Sequence, residues 1–217
     1  MSGSSEAQRE TVQELFGIDS KEKEVLIIAY TSGNIDLYDN GRTTNIPDIL
    51  NTVIPGDKSI NRIRSYGNYA YLASNLGIIL LDIDNREIKD TYKPSVDGDK
   101  NPVFDINILG DTIFAATENG LYKAPKNNQG LSYFNNWIPV DNTLGISFTC
   151  LASTTSGLYA NKKNDGKVKY IKMTAAECQK TVPDQTVVDL APLTCSRSGL
   201  ILRQHISDIS GCPGFHT

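Results

Sequence analysis

One local pattern recurs five times along the chain, and a repeat constrains a fold more tightly than composition does. The pattern is an apolar run, a short polar turn ending in glycine, and a second apolar run. It spans Ile28 to Leu37, Leu72 to Leu81, Ala115 to Ala124 and Leu151 to Ala160, with a weaker copy from Leu193 to Leu202. The glycines Gly33, Gly77, Gly120, Gly157 and Gly199 are spaced by 44, 43, 37 and 42 residues. A period near 42 is that of a propeller blade.

The sequence around each copy fits a blade. Runs at Ile60 to Ser65 and Val103 to Leu109 precede the second and third copies, joined to them by Gly67-Asn68 and Gly110-Asp111. Such pairs suit tight hairpins. Polar turns follow at Asp39-Asn40-Gly41, Asp84-Asn85-Arg86 and Asn164-Asp165-Gly166. Each leads into a fourth short strand: Thr43 to Ile46, Glu87 to Tyr92, and Val168 to Ile171. Middle strands such as Ile78 to Leu81 are apolar throughout, as expected for a sheet buried on both faces.

The fold class expected is therefore all-β, a propeller of four-stranded antiparallel blades with about five repeats. A β-sandwich with similar turns is the competing architecture, and the fixed period favours the propeller. The units are placed at 11–52, 58–97, 100–142, 146–173 and 185–205. That gives blades one to four over 11–173, then a degenerate fifth blade and irregular tail over 174–217. Val12 to Ile18 makes a poor strand that reads equally well as a short helix. The end units are the weakest, so the expectation is an incomplete part of a larger propeller.

Composition excludes several classes. The net charge of −4 opposes a nucleic-acid surface, and no stretch approaches the roughly 18 apolar residues of a membrane helix. The N-terminus lacks the pattern of a signal peptide, which implies a cytoplasmic protein if Met1 is the true start. The four cysteines, Cys150, Cys178, Cys195 and Cys212, form no close pair, so free or buried thiols are expected rather than zinc. Both histidines, His205 and His216, lie in the tail, which argues against a Ser-His-Asp triad in the better blades. No phosphate-binding glycine loop occurs. The reading is of a non-enzyme with no catalytic residue, no metal and no cofactor.

Two arginines stand out. Arg62 and Arg64 alternate with Ile63 on a first strand, the innermost of a blade, and so line the channel. They are weak ligand-binding candidates for an anionic glycan, with salt bridges between blades as the competing explanation. Tyr133 and Trp137 offer a sugar-stacking platform, with aromatic packing between blades the better expectation.

The stretch from about Val25 to Asn161 resembles the first propeller of the PorZ-type surface proteins of the bacterial type IX secretion system. The residues that carry the likeness include Leu26 to Tyr30, Ile46-Pro47-Asp48-Ile49, Gly56-Asp57-Lys58-Ser59-Ile60-Asn61 and Arg86 to Tyr92. Gly110 to Thr117 and Phe134-Asn135-Asn136-Trp137 extend it. The resemblance implies a non-enzymatic binding or scaffold module at the cell surface or in the periplasm. Its implied role is secretion, or attachment of cargo to anionic lipopolysaccharide, with other secretion-system components as partners. The family also carries a second propeller and a sorting domain, which this sequence lacks, so a fragment or a frameshift is expected. A ligand-sensing propeller of a hybrid two-component regulator is the alternative reading.

Overall fold

The computed structural model describes residues 11–20, 23–53, 56–98, 101–154, 157–163, 168–172, 195–196 and 199–200. Its strands fall into successive antiparallel sheets, each built from consecutive segments. Blade one comprises β1 (Val12–Ser20), β2 (Lys23–Tyr30), β3 (Ile35–Asp39) and β4 (Arg42–Ile46). Blade two comprises β5 (Ile60–Tyr66), β6 (Tyr69–Ser74), β7 (Gly77–Asp82) and β8 (Glu87–Tyr92). Blade three comprises β9 (Val103–Leu109), β10 (Thr112–Thr117), β11 (Gly120–Pro125) and the short β12 (Ile138–Pro139). Blade four shows β13 (Phe148–Thr154), β14 (Gly157–Lys162) and β15 (Val168–Lys172). The pair β16 (Cys195–Ser196) and β17 (Gly199–Leu200) forms a minimal hairpin. The four-residue helix α1 (Asp48–Asn51) buries Ile49 beside blade one.

Side-chain alternation explains how the sheets stack. On β6, Ala70 and Leu72 face blade one, whereas Tyr71 and Ala73 face blade three. On β7, Ile79 and Leu81 face one way and Ile78 and Leu80 the other, and all six residues are buried. Both faces of the sheet are core, as the unbroken apolar run required. Three such cores separate the four blades in turn, the last built on Leu109, Phe114, Leu121, Phe148, Leu151 and Leu158. Each fully buried Leu, Ile or Phe contributes about 1.5–3 kcal/mol, so inter-blade burial dominates the stability.

Three sequence expectations need adjustment. Val12 to Ile18 is strand, not helix: it pairs along β2 with a one-residue bulge at Gln13. Amphipathic β1 is held by that pairing, whatever its weak propensity.

The second adjustment concerns the fourth copy of the repeat. A backbone bond repeats in every blade: Thr31 N to Thr11 O, Asn75 N to Ser59 O, Glu118 N to Pro102 O and Lys163 N to Ser147 O. It makes β13 an innermost strand, equivalent to β5 and β9. Gly157 therefore opens the second strand of blade four, not the third. Val168 to Ile171 accordingly lies in the third strand. The 37-residue spacing was a change of hairpin, not a compressed blade. The innermost strands start after Thr11, Ser59, Pro102 and Ser147, at intervals of 48, 43 and 45 residues. The Cys195–Gly199 hairpin pairs Ser196 with Gly199, as Thr154 pairs with Gly157.

Third, Gly33 stands one residue before the position equivalent to Gly77. Asn34 occupies that place, where its carbonyl accepts from Tyr30 N at 3.0 Å. His205, His216, Cys178 and Cys212 lie outside the described residues.

Gly77 is the most constrained of the repeat glycines. Its φ is +120°, and an added Cβ would stand 2.3 Å from the Tyr92 carbonyl oxygen, a backbone atom that cannot move away. Gly77→Ala is expected to cost about 3 kcal/mol or more, adding a clash to unfavourable φ. Gly41 has φ +79° but open space around it, so Gly41→Ala should cost only about 1–2 kcal/mol. Urea unfolding of both variants checks this. Equal losses would mean that the close approach at Tyr92 is not there.

Asp82 closes the turn between β7 and β8. Its carboxylate accepts from Asn85 N at 3.0 Å, Asp84 N at 3.1 Å and Asn85 Nδ2 at 3.0 Å. The backbone bond from Asn85, with lesser help from the others, lowers its pKa below the usual carboxylate range. A depressed folded pKa stabilises the fold fully above the unfolded value of about 3.9, and that contribution is lost as pH falls through the folded pKa. A carboxyl-carbon NMR titration should show the depressed value, and Asn85→Ala should move it partway up.

Candidate functional site

The innermost strands carry a bulge at a fixed place. Gln13, Asn61, Phe104 and Thr149 are the extra residues in β1, β5, β9 and β13. The first two reach to the next blade at the same point. Gln13 Oε1 accepts from Ile60 N at 3.1 Å, and Asn61 Nδ2 donates to Val103 O at 2.8 Å. In blade three, Phe104 instead lies under the Lys163 ammonium, 4.8 Å from the ring centre. A bulge re-aims a side chain, and here it is used to staple successive blades.

Just past each bulge stand Glu14, Arg62, Asp105 and Cys150, equivalent residues in four blades. Arg62 is buried, with its guanidinium 3.8 Å from Glu14. Cys150 is buried. Asp105 is the centre of the arrangement. Its carboxylate is fully buried and accepts Arg64 Nε at 3.0 Å and Arg64 Nη2 at 2.9 Å, a bidentate fork. It also accepts Ile106 N at 2.9 Å and Leu151 N at 2.9 Å, while Arg64 Nη2 donates to Leu151 O at 3.3 Å. Blades two, three and four thus meet at one ionic knot.

The Arg64 side chain is 27% exposed. Burial works against its charge, but the hydrogen bonds and charge of Asp105 outweigh that, and its pKa is raised. Nearby, Tyr66 Oη accepts from Ile108 N at 3.1 Å, and burial pushes its phenol pKa up. The sequence placed both arginines on an innermost strand, where the structure finds them. It did not reveal Asp105, which lies 41 residues from Arg64. The one available signal was an acidic residue at the post-bulge position of the following blade. Of the two aromatics singled out, Trp137 packs tilted against Tyr92 with centroids 6.3 Å apart, whereas Tyr133 is 71% exposed.

Successive sheets stacked face to face, with innermost strands in contact, define a β-propeller protein. A family model described as the N-terminal β-propeller domain of PorZ, of the type IX secretion system, matches residues 18–138. The chain belongs to that family. Among solved structures it is similar to PorZ of Porphyromonas gingivalis, an essential bacterial surface component of that secretion system. Identity there is 29% and the TM-score 0.58, over 68% of this chain and 19% of that one. It therefore spans about a fifth of PorZ. The computationally designed protein Ika4 is 11% identical, with a TM-score of 0.55 over 79% of this chain and 96% of that one. Raptor of Chaetomium thermophilum is 12% identical, with a TM-score of 0.52 over 77% and 17%. These two likenesses show the fold alone. No curated protein matches the chain.

Breaking a buried ion pair from one side strands the remaining charge, which typically costs about 3–5 kcal/mol. Asp105→Ala should fall in that range, because it also leaves the Leu151 N–H without its acceptor. Arg64→Met with Asp105→Leu should cost clearly less than the two single losses added together. Denaturant unfolding of the full cycle checks this, and simple additivity would show that the pair is not coupled.

Proposed function

We propose that this propeller is a non-enzymatic binding and scaffold module of a cell-surface component of the type IX secretion system. It aids secretion of cargo, or its attachment to anionic lipopolysaccharide, through contacts with other secretion components. The observation that carries the reading is the family match over 18–138, most of the first three blades. The architecture suits the role. The facing sheets of neighbouring blades are spent on one another, which leaves loops for partners. No helix among the described residues is long and apolar enough to cross a membrane.

Arg64 is the proposed contact for an anionic group. Asp105 engages Nε and Nη2, and the partly exposed side chain keeps Nη1 for a phosphate or carboxylate. Arg62, the other candidate, is buried and paired to Glu14 of blade one.

Surface plasmon resonance with immobilised anionic lipopolysaccharide checks the proposal, with a neutral polysaccharide form as control. Saturable binding to the anionic form that weakens as salt rises is expected, since exposed charges are screened. Arg64→Gln should reduce affinity by about tenfold, the loss of one charge-assisted contact. Equal binding of both forms, or none, would overturn the anionic-glycan reading and leave the scaffold role to be judged by cargo release from cells lacking the protein.

A further inference from the structure

The loop between β11 and β12 has a construction that inter-blade packing does not account for. Its middle, from Asn127 to Asn136, holds five side-chain amides and no charged residue. Leu131 and Trp137 anchor it in the core between blades two and three, and Trp137 Nε1 donates to Leu131 O at 2.8 Å. A single 3-10 turn, Phe134–Asn136, sets the exit, with Phe134 lying against the backbone of Gly98. On that rigid base Tyr133 is 71% exposed.

Three side chains converge on Gly130. A methyl group there would lie 2.6 Å from Asn136 Nδ2, 3.4 Å from Asn128 Oδ1 and 3.5 Å from Tyr133 Cδ2. Asn136 Nδ2 donates to Gly130 O at 2.7 Å, Gly130 N donates to Asn128 Oδ1 at 2.8 Å, and Tyr133 N donates to Gly130 O at 2.9 Å. One half of each amide is thereby fixed. The other half, Oδ1 of Asn136 and Nδ2 of Asn128, supplies an acceptor and a donor beside the tyrosine ring.

We propose that this loop is a binding site for an uncharged carbohydrate, with Tyr133 stacking on the apolar face of a pyranose and Asn128 and Asn136 bonding its hydroxyls. An aromatic face flanked by one fixed donor and one fixed acceptor matches a ring that presents C–H bonds on one side and hydroxyls at its edge. The lack of charge across the segment favours a neutral ligand over a phosphate or an acidic peptide. Because the hydrogen bonds hold both amides and the tyrosine backbone in place beforehand, less ordering cost falls on binding. The site is separate from Arg64 and does not rest on the anionic-glycan reading.

The test is saturation-transfer NMR and fluorescence titration of the whole chain with four neutral probes: cellohexaose, maltohexaose, mannohexaose and chitohexaose. At least one should bind saturably, with an affinity unchanged at about 0.5 M salt, where exposed charge pairs are screened. Tyr133→Ala should weaken it at least about tenfold while Tyr133→Phe keeps it, since the ring face and not the hydroxyl makes the contact. Tyr133 is exposed, so neither variant should alter the thermal melt. Failure of all four probes at about 10 mM, far weaker than the millimolar end of the affinity scale, would overturn the proposal. So would unaltered binding by Tyr133→Ala.

Discussion

Burial of both faces of the inner sheets, blades two and three, is the constraint on which everything else depends. A four-stranded sheet with apolar side chains on both surfaces cannot stand alone in water. It needs a neighbour on each side, and antiparallel blades arranged around an axis supply one. Residues such as Leu72 and Tyr71, adjacent on β6, are therefore committed to two different cores. Substitution at either weakens a specific pair of blades rather than the molecule in general. The sheet faces between neighbouring blades are consequently unavailable for function, which is pushed to the innermost strands and to the loops.

That constraint made most of the architecture legible. The unbroken apolar run Ile78 to Leu81 announced two-sided burial, and the period near 42 residues announced the blade. What was not legible was which hairpin a given turn belonged to. Ser74 and Thr117 donate through their hydroxyls to the carbonyls of Gly77 and Gly120, closing the turn between second and third strands. Thr154 makes the same bond to Gly157 at 3.4 Å, yet in the turn between first and second strands. Identical local chemistry serves both hairpins, so only the partner blade tells them apart. The short interval before Gly157 carried the information, as a shift of one strand and not as a shorter blade.

Site residues were legible to a different depth. Local pattern placed Arg64 on an innermost strand because strand order within a blade is local. Its partner was invisible, because contact between Arg64 and Asp105 depends on how one blade is rotated onto the next. Tyr133 and Trp137 show the same limit from the other side. Four residues apart, they looked equivalent in sequence, but the 3-10 turn between them sends one indole into the core and leaves the phenol in water.

The ionic knot itself is not explained by stability. A fully buried carboxylate and a mostly buried guanidinium lose hydration that their attraction only roughly restores, and apolar replacements often do as well. The apolar cores, by contrast, are non-directional and tolerate a blade sliding along its neighbour. Asp105 does not tolerate it: a slide of one residue, about 3.3 Å along a strand, carries the carboxylate out of hydrogen-bond reach of Arg64 and of Leu151 N. The four hydrogen bonds to Asp105 are satisfied together in only one setting of blades two, three and four. The knot thus fixes the angle between blades that burial alone would leave loose. Fixing that angle sets the spacing of the loops, and a surface that works by presenting loops needs that spacing held.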